Sequence, residues 1–258
     1  MSTAELKADL ETVGSSRILF GHQSVGRNIL AGLASLAGEC GVSIRIAEIT
    51  TVPPDSGPGL FHSNIGKNGD PQSKCDAFES LLMRPERPAY DLAVMKFCYV
   101  DLGRSTPLDA EAMAACYARL VEVIAKQRPD IRLMHMTMPL RAEWTGWKVR
   151  VNRLLGRDIP VDTENAMRNA FNDALRDRYG SELFFDLAAL ESTRADGSRS
   201  SFQFKGRTVY SLAHEYTHDG GHLNPAGQRW VAAAFVRALA KALRERPAER
   251  AATAAAAQ

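Results

Sequence analysis

The chain has 258 residues, 45% of them hydrophobic, enough to build one sizeable core. Its 32 Lys and Arg against 30 Asp and Glu leave a formal charge of only +2, which excludes the basic footprint of a nucleic-acid binder. No stretch approaches the roughly 18 consecutive apolar residues of a membrane span, and the opening MSTAELKADLETVG lacks the apolar run of a secretory signal. Cys40, Cys75, Cys98 and Cys116 show no CxxC spacing and fit reduced thiols, so the expectation is a cytoplasmic protein with neither membrane nor nucleic-acid partner and no cofactor.

Short apolar runs alternate with helical patterns along the chain, the sequence form of βαβ units. Strands are predicted at 17–20, 42–49, 91–98, 131–138 and 183–188. Ile29, Leu30, Leu33 and Leu36 mark a first helix, and Met113, Leu120, Val121 and Ile124 mark a second within 108–127. Further helices are predicted at about 162–179 and 225–245. The result is an α/β fold, a three-layer doubly wound sheet of about five parallel strands, in which ligands bind beyond the carboxyl ends of the strands. A single domain spans 1–245. Three stretches, at about 50–75, 140–160 and 191–218, fit no regular element and are longer than usual connections, as lids and binding loops are. Residues 246–258 read as a low-complexity tail.

Three segments carry residues that can do chemistry. The first strand runs into Gly21-His22-Gln23-Ser24-Val25-Gly26 and then a helix. A serine there exposes its hydroxyl at the sheet edge, with helix N-terminal amides aimed at any oxyanion that forms; it is also a good helix cap. Late in the chain, His218-Asp219-Gly220-Gly221-His222-Leu223-Asn224-Pro225 puts Asp219 and His222 three residues apart. That spacing lets a carboxylate orient an imidazole base; alternatively, Asp219 caps the last helix and His222 is an ordinary loop histidine. Between them, Asn64-Ile65-Gly66-Lys67-Asn68-Gly69-Asp70-Pro71 is a glycine-rich turn whose amides can line an anion-binding concavity.

Together these segments resemble the SGNH, or GDSL-type, hydrolases over about residues 17–240, with DGGHLNPAGQ the most specific match. The resemblance implies a flavodoxin-like SGNH hydrolase fold, Ser24 as nucleophile, Gly69 as oxyanion donor, His222 as general base and Asp219 as its orienting carboxylate. It also implies a serine esterase acting on a small-molecule or glycan ester. Two positions depart from the family pattern: Gly21-His22-Gln23-Ser24 carries one residue more than Gly-Asp-Ser, and no asparagine stands near Tyr99, where the family has an oxyanion donor. The same triad serves an O-acyltransferase, and a protein that keeps the cleft without turnover is the rival from another class. Oligomeric state is not specified by any of these features.

Two other patterns bear on function. His214-Glu215-Tyr216-Thr217-His218 is literally HExxH, which holds zinc only if both histidines share a helix face. The 140–160 insertion joins Trp144 and Trp147 to Arg141, Lys148, Arg150, Arg153 and Arg157. Such a set suits an anionic or glycan-like substrate, or is simply a solvated face.

Overall fold

The computed structural model describes residues 2–49, 57–84 and 89–245. The chain opens with a helix that the sequence reading did not place, α1 (Thr3–Gly14), begun by a capping box between Ser2 and Glu5 and burying Leu6, Leu10 and Val13. Then follow β1 (Arg17–His22), α2 (Ser24–Glu39), β2 (Ile46–Glu48), β3 (Gly59–Asn64), α3 (Pro71–Leu82), β4 (Leu92–Met95) and α4 (Ala110–Gln127). The second half contains β5 (Arg132–Met136), α5 (Trp147–Leu154), α6 (Pro160–Tyr179), β6 (Phe184–Phe185), α7 (Leu187–Ser192), β7 (Ser201–Phe204), β8 (Arg207–Tyr210) and α8 (Pro225–Arg244).

Six strands form one sheet in the order β2-β3-β1-β4-β5-β6, every pair parallel. The α/β doubly wound expectation is thus met with one strand more than predicted. The addition is β3, which lies inside the stretch read as irregular and slots between β1 and β2, pairing Arg17 with Gly59 through His22 with Asn64. The other insertions also hold regular structure: α5 lies in 140–160, and the β7–β8 hairpin lies in 191–218. The predicted strand at 183–188 shortens to two residues because the Asp186 carboxylate accepts the Ala189 amide and starts α7. Residues 50–56 of the first insertion and the predicted tail at 246–258 lie outside the described residues.

Helices cover both faces of the sheet. Helices α1, α2 and α8 pack on one side, over Ile18, Phe20, Leu33, Val231 and Phe235. Helices α3, α4 and α6 pack on the other, around Phe78, Tyr117 and Phe171. The α2–α8 contact is so close that a Cβ at Gly32 would sit 2.4 Å from the Gln228 carbonyl oxygen. Among the described residues, no helix is long and apolar enough to cross a membrane.

The topology fixes where a site belongs. From β1 the chain winds outward to β2, returns through β3, and then crosses to β4 on the other side of β1. The winding therefore reverses at the carboxyl end of β1, and the crevice outside such a switch point is the usual ligand position. Residues 22–24 stand there.

Candidate active site

The turn after β1 is rigid for reasons visible in its side chains. His22 is fully buried, its Nδ1 is 2.8 Å from the Gln23 carbonyl oxygen, and its Nε2 is 3.2 Å from His62 Nδ1. Burial first, then the nearby Lys96, His62 and Arg27 charges, push its pKa down to about 3, against the opposing pull of the Gln23 carbonyl. A neutral imidazole thus fills the space under the turn, and Gly26 is required beside it, since a Cβ there would come within 2.3 Å of the His22 Cβ. The Gln23 amide reaches across to the next loop and donates to the Ile65 and Gly66 carbonyls at 2.8 and 3.0 Å.

Gln23, not Ser24, occupies the N-cap of α2, and Ser24 is the first helical residue. Its hydroxyl makes no cap bond there; it lies 2.9 Å from His222 Nε2. On the far side of the ring, His222 Nδ1 is 2.6 Å from Asp219 Oδ2. A carboxylate can only accept, so Nδ1 carries the proton and Nε2 is left to accept from the Ser24 hydroxyl. Ser24, His222 and Asp219 therefore form one hydrogen-bonded line at the carboxyl edge of the sheet.

The loop bearing the last two is held independently of that line. Asp219 Oδ1 accepts the Gly221 and His222 amides at 2.9 and 2.8 Å, and Thr217 Oγ1 lies 3.3 Å away. Burial raises the Asp219 pKa, but the His222 amide and imidazole and the Gly221 amide outweigh it and hold the carboxyl well below the usual range. An isolated bridge pairs Thr217 with Leu223, and the Leu223 amide donates to Asn28 Oδ1 at 3.2 Å, one helical turn beyond Ser24. Asn224 caps α8 by accepting the Gly227 amide at 3.0 Å, so Asp219 is not the cap.

Gly69 lies on the neighbouring loop with φ +81°, a conformation that favours glycine. Its N–H donates to Asp101 Oδ1 at 2.9 Å. Asp101 is fully buried; it also accepts the Cys98 amide at 2.6 Å and pairs with the equally buried Lys74 at 2.6 Å. Lys74 in turn reaches Asn68 Oδ1 at 3.0 Å. A buried ion pair thus ties the loop after β3 to the loop after β4, and sequence reading missed it: Lys74 looks like a surface helix lysine, and Asp101 is 27 positions away.

Tyr99 packs edge-on against the His222 ring, with centroids 5.9 Å apart, and a Cβ at Gly221 would meet its hydroxyl at 2.8 Å. The Arg141 guanidinium also stacks over the Tyr99 ring, 5.5 Å from its centre. Beneath them, buried Arg168 donates to the Tyr99 carbonyl at 2.7 Å and to Asn165 Oδ1 at 2.9 Å. Burial lowers the Arg168 pKa to about 10, with its Glu164 partner opposing and the Arg141 charge adding to the shift.

The HExxH segment does not form the helix that zinc ligation requires. Residues His214–Tyr216 make a single 3-10 turn, Thr217 is extended at φ −145° and ψ 154°, and the two histidines share no helix face. Among the described residues, no group of three or more His, Cys, Asp or Glu is arranged to hold a metal ion. All four cysteines are free thiols; the Cys75 and Cys116 sulfurs lie 3.1 Å apart between α3 and α4.

No protein-family model and no curated protein matches the chain. Solved structures do. A lipase/acylhydrolase from Enterococcus faecalis is similar over 90% of this chain and 98% of its own, at 14% identity and a TM-score of 0.50. A candidate GDSL-like lipase from Parabacteroides merdae is similar over 87% and 95%, at 12% identity and a TM-score of 0.50. At such identities the likeness is one of fold, and with the parallel sheet and the loops at its carboxyl edge it leads to one conclusion: this chain has the SGNH, or GDSL-type, hydrolase fold.

Proposed function

We propose that the protein is a serine esterase acting on a carboxylic ester of a small molecule or glycan. The supporting observation is the unbroken line from Ser24 Oγ to His222 Nε2 at 2.9 Å and from His222 Nδ1 to Asp219 Oδ2 at 2.6 Å. Ser24 attacks the ester carbonyl while His222 takes its proton, and Asp219 stabilises the resulting imidazolium. The C–O bond to the alcohol then breaks, and His222 returns the proton to the leaving oxygen. Water, activated by the same imidazole, attacks the acyl-Ser24 carbonyl and releases the acid and the free serine.

The oxyanion is served first by the Ser24 amide. As the first residue of α2 it has no partner within the helix and stands at the positive end of the helix dipole. Gly69 contributes its amide only by sharing it with Asp101, which holds it in the resting arrangement. That shared amide, with no asparagine near Tyr99, favours a second reading, a binding protein that keeps the cleft without turnover. Missing one oxyanion donor costs about 100- to 1000-fold in rate.

A fluorophosphonate probe and ester hydrolysis by the Ser24→Ala variant separate the readings. An esterase is labelled at Ser24, and the folded variant loses at least 1000-fold in kcat. Hydrolysis by folded Ser24→Ala at the wild-type rate would sink the proposal, while ligand binding without labelling would select the second reading.

A further inference from the structure

We infer that Arg141 is a specificity-determining residue that selects esters carrying a second, anionic group, a carboxylate or a phosphate; the inference rests on the serine esterase reading above. Its guanidinium packs on the Tyr99 ring, 5.5 Å from the ring centre, and the same ring packs edge-on against His222 of the proposed catalytic line. The two acids that line the same groove, Glu143 and Asp219, are engaged elsewhere, as are Asp162 and Glu164. Glu143 and Asp162 pair with Arg153 at 2.7 Å, and Glu164 pairs with Arg168 at 3.0 Å. Asp219 spends one oxygen on the His222 ring and the other on loop amides. Among the described residues, Arg141 has no carboxylate within ion-pair distance; its nearest polar contact is a 3.5 Å approach of Nε to the Gly220 carbonyl oxygen.

The residue is also held in place as a recognition group needs to be. Its amide donates to Asn165 Oδ1 at 3.1 Å, and its carbonyl accepts from Asn165 Nδ2 at 2.7 Å and from the Leu212 amide at 3.1 Å. The next amide, Ala142, donates to the Gly220 carbonyl at 2.9 Å, so the Arg141 backbone and the Asp219–His222 loop move as one piece. Asn165 is fully buried, which fixes this pedestal from below. Between Arg141, Trp144, His214, Thr217, His218 and Asp219 lies an open groove of about 360 Å³, within the size range of small-molecule sites. It offers a planar guanidinium fork for an oxyanion and the half-exposed Trp144 indole for a flat neighbouring group. Arg141, the groove-lining arginine without an ion-pair partner among the described residues, is the group an anionic substrate would meet there.

The test compares kcat/KM for phenyl acetate, 3-acetoxybenzoate, 3-acetoxyphenyl phosphate and monophenyl succinate. The second and third carry the charge on the alcohol, as carboxylate or phosphate, and the last carries it on the acyl side. Wild-type protein should prefer at least one anionic ester over phenyl acetate by about 10- to 100-fold, the span of a charge-assisted hydrogen bond. That preference should shrink as NaCl is raised. Arg141→Gln should lose the preference, and Arg141→Lys, which keeps charge without the fork, should retain part of it. Equal kcat/KM for neutral and anionic esters in the wild type, or an unchanged ratio in folded Arg141→Gln, overturns the inference. Fluorophosphonate labelling of wild-type Ser24 distinguishes the two failures: labelling without anion preference sinks this inference alone, and absence of labelling and hydrolysis sinks both. If Ser24 is labelled but none of the four esters turns over, protection from the probe by 3-hydroxybenzoate and not by phenol supports the inference, and equal protection overturns it.

Discussion

The buried pair between Lys74 and Asp101 permits the most quantitative test of how the site is held together. Both side chains are fully excluded from solvent, at 2.6 Å, and Asp101 also accepts the Gly69 and Cys98 amides. Lys74→Met removes the cation and leaves a buried carboxylate satisfied by two amides alone; breaking such a pair costs about 3–5 kcal/mol. With a urea m-value of about 3 kcal/mol/M for a chain of this size, the midpoint should fall by roughly 1–1.7 M. Asp101→Asn strands the lysine instead and should cost a similar amount. The double variant Lys74→Met/Asp101→Leu removes both charges and fills their space, and it should be more stable than either single variant, because desolvation of the pair consumes most of its Coulombic gain. Stability comes from urea unfolding followed by circular dichroism, and activity from ester hydrolysis. The double variant also releases the Gly69 amide; if that amide serves the oxyanion only by sharing, kcat should change more than KM. Single variants that cost less than about 1 kcal/mol, or a double variant that costs the sum of the two, would refute this account of the loop anchor.

Asp219→Asn preserves size but can present an NH₂ group to Nδ1, favouring the tautomer that cannot accept the Ser24 proton. A fall in kcat of about 100- to 10,000-fold with little change in unfolding midpoint is expected, since Asp219 is more than half exposed. Stability against pH should show a plateau with two falling limbs. His22, at about 3 in the fold against an ordinary value near 6.5, binds fewer protons folded than unfolded, so its contribution is lost as pH falls from about 6.5 to 3. Glu191, fully buried and raised by that burial to about 8 against the opposing Leu140 amide and Lys96 charge, keeps a proton the unfolded chain gives up; its contribution is lost as pH rises from about 4.5 to 8. The two slopes, each about 1.4 kcal/mol per pH unit, cancel between roughly 4.5 and 6.5. Glu191→Gln should flatten the alkaline limb in urea titrations, and an alkaline limb identical to wild type would show that the buried carboxyl is not its source.

Much of the architecture was legible because periodicity is a local property. Runs such as Ile18–Phe20 and Leu92–Met95 are strands whose side chains are buried on both faces, as parallel sheets require. What escaped was decided by neighbours. Gly59–Asn64 is flanked by prolines and glycines, and it is a strand because β1 and β2 leave a slot of matching register between them. The helix at Thr3–Gly14 had a readable signal in its Ser2–Glu5 capping box and in Leu6, Leu10 and Val13.

The site divides along the same line. Ser24 and the Asp219–His222 spacing were visible because each is a short segment whose chemistry depends on its own turn. HExxH, made conditional on a shared helix face, has the residues without the helix: Thr217 pairs with Leu223 and Gly220 takes φ +79°, so the backbone turns away just where ligation needs it to continue. Arg141, Tyr99 and Arg168 come from three separate connections and helices, and nothing local marks them as neighbours. That Arg141 is left without an ion-pair partner among the described residues shows only once Arg153 and Arg168 are seen to hold Glu143, Asp162 and Glu164. Unpaired charge at an open groove is a property of the folded ensemble of side chains. The basic run at 140–160 thus raises an anionic substrate in the sequence, and only the fold singles out Arg141 within it for the proposed selectivity.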